Sequence, residues 1–260
     1  MQAFGQHSGY GCLVGQDEIG NYFLDDMRSA GVHIAGTNQS DADQTGRCLV
    51  LITPDGERSM NTYLGVSTLL NPAAMDPAAI QRARFLYIEG YLSSSSTSTA
   101  VALEAREIAE KAGVATTITL SDPSMIELFR DNLVEILGNG VDHLFCNEEE
   151  ALTWAKTDRI DVAATELSDI ARGVSITLGA AGSMVINGTQ RSQVPGVKVK
   201  VVDTSGAGDS YAGAALFAMA EGWAPERGAK LANHAAAQVV SRFGARLGTA
   251  QDYRQLLDKI

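Results

Sequence analysis

Val201-Val202-Asp203-Thr204-Ser205-Gly206-Ala207-Gly208-Asp209-Ser210-Tyr211-Ala212-Gly213-Ala214 reads as a strand end, a loop with two glycines and the start of a long helix reaching Glu221. Gly206 and Gly208 carry no Cβ, so the backbone there can turn tightly and aim its N–H groups at one spot. The helix start adds the positive end of its dipole at the same spot. Together they form an anion hole of the kind that holds phosphate. Asp209 is out of place in such a hole, since a carboxylate repels an anion. Either it caps the helix, as aspartates commonly do, or it accepts the proton of an attacking hydroxyl in phosphoryl transfer.

Outward from this stretch, apolar strands alternate with amphipathic helices. Strands are expected at Phe85 to Glu89, Val114 to Leu120, His143 to Cys146, Val174 to Leu178 and Met184 to Asn187. Helices are expected at Ser93 to Ala112, Pro123 to Leu137, Val162 to Arg172, Ala207 to Glu221, Pro225 to Phe243 and Gln251 to Ile260, with another opening at Asn147. Such alternation predicts an α/β fold, a doubly wound, mostly parallel sheet with helices on both faces. The front of the chain differs. Tyr10 to Gly15 reads as a strand, Glu18 to Ala30 as a helix, and Gly36 to Gly46 as a polar loop. Arg47 to Ile52 and Arg58 to Leu64 flank Thr53-Pro54-Asp55-Gly56-Glu57, where Pro and Gly suit a hairpin turn. This hairpin should form a small attached sheet.

In a doubly wound sheet, ligands sit beyond the carboxyl ends of the strands. Four loops belong there: Glu89-Gly90-Tyr91, Asn147 to Glu150, Thr177 to Gly182, and Asp203 to Asp209. Asn147 and Glu150, three residues apart at a helix start, face one side. They either simply suit the helix dipole or hold water ligands of Mg²⁺, which needs few carboxylates. Gly179 and Gly182 are either turn residues or an opening for a nucleotide to approach the backbone. His143 and His234 have no partner at ligand spacing, and His234, Trp154 and Trp223 are expected in the core.

The chain has 260 residues, 20 Lys+Arg against 31 Asp+Glu, and a formal charge of −11. That balance argues against a nucleic-acid partner, which wants a basic footprint. No apolar run reaches the length of a membrane span, and the start carries no basic, apolar leader. Cys12, Cys48 and Cys146 have no metal-ligand spacing and are read as reduced and buried in a cytoplasmic protein. Neither a Walker-type loop nor an early Gly-x-Gly-x-x-Gly is present, which sets aside P-loop and NAD-binding enzymes.

Asp203-Thr204-Ser205-Gly206-Ala207-Gly208-Asp209 resembles the C-terminal signature of the PfkB/ribokinase family of sugar and nucleoside kinases, Asp-Thr-x-Gly-Ala-Gly-Asp, at every fixed position. Val14 to Gly20, Asn147-x-x-Glu150 and Gly179-x-x-Gly182 follow that family's order around it, so the resemblance spans essentially the whole chain. It implies an ATP-dependent, Mg²⁺-requiring kinase acting on a primary hydroxyl. Asp209 would be the general base, and Gly206, Ala207 and Gly208 would hold the transferring phosphoryl group. Asn147 and Glu150 match Mg²⁺/phosphate positions. Thr177, Gly179 and Gly182 match nucleotide contacts, and Asn233 a residue beside the adenine. Asp203 matches a ligand of a monovalent cation, such as K⁺, bound by some members. Glu89 and Arg58, with Asp209, are the acceptor-side candidates. Thr53 to Met60 looks like the lid hairpin of adenosine-kinase-like members, within a lid region at 33–66, and some members pair through that lid as homodimers.

The front departs from the family pattern. The first strand and its substrate-binding Asp, part of the lid and a Gly-Gly-x-x-x-Asn loop have no counterpart, so residues 1–260 are expected to form one kinase domain lacking these parts. A catalytically impaired nucleotide-binding fragment is the alternative reading.

Overall fold

The computed structural model describes residues 1–36, 38–53 and 58–260, with Arg58 described through its backbone only. A front region comes first. β1 (Gly9–Gly11) pairs in parallel with β3 (His33–Ala35), and β2 (Val14–Gly15) with β4 (Gln39–Ser40), around α1 (Glu18–Ser29). The expected single strand from Tyr10 to Gly15 is thus broken in two. Its halves pair with different partners, and β4 lies within the stretch expected to be a loop. Asp17 explains the local order. Its carboxylate caps α1 through the Gly20 amide at 2.8 Å and also accepts the Thr45 amide at 2.8 Å and the Thr45 hydroxyl at 2.6 Å. These bonds hold the Asp17 carboxyl down to about 2. The antiparallel hairpin of β5 (Arg47–Ile52) and β6 (Arg58–Tyr63) follows, at the bounds expected to within one residue. Its turn, 54–57, lies outside the described residues.

After α2 (Pro77–Arg82), unmarked by any sequence period, the main sheet begins. Its strands are β7 (Phe85–Glu89), β8 (Ala115–Thr119), β9 (Val141–Asn147), β10 (Ala171–Thr177), β11 (Ser183–Asn187) and β12 (Gln190–Val194). They lie side by side in chain order. The first four are parallel, and β11 and β12 close the sheet as an antiparallel hairpin. The crossovers are α3 (Ser96–Ala112), α4 (Pro123–Leu137), and α5 (Glu148–Ala155) with α6 (Ile160–Ile170). On the other face lie α7 (Ala207–Ala220), α8 (Pro225–Val240) and the short α9 (Ala250–Arg254).

The two faces bury separate cores, and β9 serves both. Leu144 and Cys146 point to the layer of Ile118, Leu133, Ile136 and Trp154, while Phe145 points to Tyr211, Phe217, Leu231 and Val239. That is the period-two alternation of a strand covered on both sides. α7 is apolar nearly all round because it is sandwiched between the sheet and α8.

Several expectations are corrected. The helix expected to reach Arg172 stops at Ile170, because β10 already begins at Ala171, which pairs with Val141. α8 stops at Val240 rather than Phe243, and Phe243 is exposed. Cys146 is buried, but Cys12 is only partly so and Cys48 is exposed on the hairpin. His234 is half-buried on α8 rather than in the core. Trp223 is likewise only partly buried, with the Arg227 guanidinium stacked on its ring at 3.9 Å. Among the described residues no helix is long and apolar enough to cross a membrane.

Candidate active site

Parallel strands in one sheet end at the same edge. Register puts Glu89 beside Thr119, Thr119 beside Phe145, and Asn147 beside Thr177. The N-terminus of α7 comes to the same edge, since the Asp209 charge acts on Glu89 across it. All four loops expected there are therefore gathered in one place.

The glycine loop is built from Asp203. This carboxylate, only 2% exposed, accepts the Ser205 amide at 2.8 Å and the Gly244 amide at 2.9 Å. It ties the loop to the segment after α8. Gly206 then takes a left-handed φ of +73°, and a Cβ there would sit 2.2 Å from the Ala245 carbonyl oxygen. Gly208 differs: its φ is ordinary and an added Cβ would meet nothing within 4 Å, so its backbone faces open space. Gly206, not Asp209, is the cap of α7 and offers no side-chain bond. Asp209 lies in the first turn, exposed, where the leading amides have no acceptor within the helix. Asp209 is therefore not the N-cap residue of α7.

Glu89 ends β7, half-buried, with the Ser121 hydroxyl 3.4 Å away. Burial first, and then the negative charge of Asp209, pushes its carboxyl up to about 7. The pair is the main electrostatic feature of the edge. Tyr10, from the front region, also feels both charges. Folding binds this proton more tightly than the unfolded chain does. The stabilisation is full below the ordinary carboxylate range and is lost as pH rises through about 7. Glu89→Gln should therefore raise the melting temperature by a few degrees at pH 8.5 and leave it nearly unchanged at pH 5. An equal change at both pH values would exclude the charge as the cause.

Asn147 and Glu150 form a reciprocal cap on α5. Asn147 Oδ1 accepts the Glu150 amide at 2.7 Å, Glu150 Oε2 accepts the Asn147 amide at 3.1 Å, and the Asn147 side-chain N–H donates to Glu150 Oε1 at 2.7 Å. The helix-start reading is met, and the Glu150 carboxylate lies buried at the ligand edge. Since both carboxylate oxygens are already engaged, Glu150 suits Mg²⁺ held through water better than direct ligation. Among the described residues no group of three or more His, Cys, Asp or Glu gathers as a metal site. That donor set fits a cation that takes its remaining ligands from substrate phosphates and water.

The two glycines of the third loop separate by role. Gly179 has φ +55° and nothing near its missing Cβ, so its backbone is open. Gly182 is filled by its own chain: a Cβ would sit 2.1 Å from the Val194 carbonyl oxygen and 2.3 Å from the Gly196 amide. Thr177 ends β10 half-buried, in register with Asn147 and Ser183. Asn233 is buried on α8, its side-chain amide donating to the Val194 and Pro195 carbonyls at 3.1 and 3.2 Å. It braces the strand that Gly182 packs against. The Arg58 side chain lies outside the described residues.

Some contributors carried no sequence signal. Gly244 and Ala245 hold the glycine loop only because the fold returns them to it. Arg246 anchors that segment with a two-pronged ion pair to Asp26 of α1, 2.8 Å at each prong. Ser121, with a positive φ of 70°, meets Glu89 only through the adjacent strand ends.

The description pfkB family carbohydrate kinase matches residues 1–252. Adenosine kinase 1 of Arabidopsis thaliana is 27% identical over 92% of this chain and 74% of its own length. Mouse ribokinase is 30% identical over 80% of this chain and 64% of its own, so the chain spans a little under two thirds of that relative. The crystal structure of adenosine kinase from Sinorhizobium meliloti superposes with a TM-score of 0.93 at 33% identity, covering 99% of this chain and 79% of that one. With a ribokinase-like sheet, the glycine loop at its ligand edge and this family match along nearly its whole length, the chain belongs to the pfkB family of carbohydrate kinases.

Proposed function

We propose that this protein is an ATP-dependent kinase that moves the γ-phosphoryl group to a primary hydroxyl of a sugar or nucleoside. The observation that carries this reading is the pairing of an open Gly208 backbone with an exposed Asp209 in the first turn of α7. One supplies N–H groups for a phosphate and the other a proton acceptor, side by side.

The acceptor hydroxyl gives its proton to the Asp209 carboxylate as its oxygen bonds to phosphorus. The bond from phosphorus to the bridging oxygen of the nucleoside diphosphate breaks in the same displacement. The amides of Gly206, Ala207 and Gly208 and the α7 dipole hold the charge that develops on the phosphoryl oxygens. Glu89 orients the acceptor from the opposite side. Thr177 and Gly179 contact the nucleotide directly, while Gly182 and Asn233 shape its pocket through the 194–196 segment. Mg²⁺, when bound with ATP, neutralises phosphate charge, and Asn147 and Glu150 would hold its waters. Asp203 would contribute to a monovalent cation site such as one for K⁺, its buried charge suiting a weakly hydrated ion.

Residues 33–66 would act as the lid over the acceptor. The adenosine kinases among the similar proteins favour a nucleoside acceptor. The test is ADP release from ATP across a panel of nucleosides and sugars, read beside ATP binding by calorimetry. Release with adenosine supports the reading. Binding without phosphorylation of any acceptor overturns it.

The lid would also pair two copies. Leu49 and Leu51 of β5 are 63% and 55% exposed, and neither hairpin strand has a further partner strand among the described residues. Such an apolar edge calls for cover. Sedimentation velocity should give a dimer, and Leu49→Glu with Leu51→Glu a monomer.

A further inference from the structure

The phosphoryl-transfer chemistry leaves the Val14 to Gly20 motif and the helix it opens, α1, without a role. At the start of α1, the Asp17 carboxylate binds the Thr45 amide and hydroxyl, and that hydroxyl accepts the Gly15 amide at 2.9 Å. Thr45, 5% exposed, lies just before β5. The two stems of the hairpin close on each other at this point. A Cβ on Gly46 would sit 2.6 Å from the Leu64 carbonyl oxygen, and one on Gly65 2.1 Å from that of Gln44. The root of the hairpin is thus fixed to the first turn of α1.

The other end of α1 reaches the glycine loop. Asp26 lies about 14 Å further along the helix axis, at 1.5 Å per residue. Both of its carboxylate oxygens accept from Arg246, at 2.8 Å each. A planar guanidinium gripped at two points cannot swing as a single contact can. Arg246 belongs to a stretch, Ser241 to Thr249, without regular secondary structure. That stretch shapes the loop that opens α7. Its Gly244 amide donates to Asp203, and a Cβ on Gly206 would come within 2.7 Å of the Ala245 Cα and Cβ. On the far side of Arg246, the Leu247 amide donates to the Tyr253 hydroxyl at 3.0 Å.

We propose that α1 is a strut between the hairpin root and the glycine loop, and that Asp26 and Arg246 are positioning residues through which it sets where Gly206 to Asp209 stand. Their part in catalysis rests on the phosphotransfer reading above. The contacts form one series: hairpin root, Asp17, α1, Asp26, Arg246, the 244–246 backbone, and then Asp203 and Gly206. Neither Asp26 nor Arg246 touches the reacting atoms in this scheme. They act through the backbone that the loop leans on, where a misplacement of about 1 Å is enough to cost rate. The pair is partly exposed, Arg246 at 59% and Asp26 at 29%. Such pairs contribute little to overall stability, so the effect falls on loop position and rate rather than on melting.

Asp26→Asn and Arg246→Gln should each lower kcat about tenfold at saturating ATP and acceptor, with melting temperatures within about 2 °C of the wild type. The double variant should lose no more than either single one, because the two side chains act as a unit. Arg246→Lys keeps the charge without the fork and should stay within about threefold of the wild-type rate. Amide hydrogen exchange gives a readout that needs no turnover. The Ser205 and Gly244 amides, both held by Asp203, should exchange about tenfold faster in either single variant, while those of β9 and β10 stay unchanged. An unchanged kcat, losses that multiply in the double variant, or a rate that falls only in step with melting would each overturn the positioning role. A wild-type protein that phosphorylates no acceptor would strike the kinase reading instead. Exchange then decides alone, and unchanged exchange at Ser205 and Gly244 overturns the strut whether or not the protein turns over.

Discussion

Asp209→Asn should lower kcat by about 10³-fold while leaving ATP affinity within a factor of about three, given the 10²–10⁴-fold range of general-base catalysis. The amide keeps the size of the carboxylate and its place in the first turn of α7, but it cannot take up a proton. The hydroxyl must then attack while still protonated. Removing the negative charge also relieves Glu89, whose carboxyl is raised in part by Asp209, so the variant should not lose stability. Its melting temperature should match or exceed that of the wild type at pH 8. Single-turnover phosphorylation with melting curves on both proteins checks this. Loss of activity with loss of stability would point to a structural role. An unchanged rate would remove Asp209 as the base.

What the sequence made legible was local. Asp203 to Asp209 stood out as a glycine loop opening a helix because glycine and aspartate act through their own backbone and charge. The parallel strands stood out because burial on both faces makes them apolar. β12 went unseen because Gln190-Arg191-Ser192-Gln193 is polar and exposed at the sheet edge, leaving no period to read. The split between β1 and β2 went unseen because each half is defined by its pairing partner, α1 or more away in the chain. The site divided likewise. That Glu89 and Asp209 share one electrostatic field is a matter of strand order, which residue types do not encode. Nor does a Gly-x-x-Gly spacing say that Gly179 is open while Gly182 is packed against Val194 and Gly196. Both glycines serve backbone approach, one toward open space and the other toward the chain itself.

The same division yields opposite expectations for the two glycines of the loop that opens α7. Gly206→Ala forces a side chain into a left-handed φ of +73° and drives its Cβ to 2.2 Å from the Ala245 carbonyl oxygen. Backbone strain of this kind costs about 1–3 kcal/mol, and overpacking adds a similar amount. The segment at 244–246 must move, which strains the bond from the Gly244 amide to Asp203 that shapes the loop. The melting temperature should fall by roughly 5 °C or more. Since a misplacement of about 1 Å can cost 10²-fold in rate, kcat should fall at least that far. Gly208→Ala meets nothing within 4 Å and keeps an ordinary φ, so its melting temperature should stay within about 1 °C of the wild type or rise slightly, as alanine favours a helix. Its methyl group nevertheless enters the space assigned to the transferring phosphoryl group, so kcat/KM for ATP should drop by about 10²-fold. Stability lost in one variant and kept in the other, with activity lost in both, is the expected pattern. Full activity in Gly208→Ala would mean that the phosphoryl group does not pass over this turn of α7.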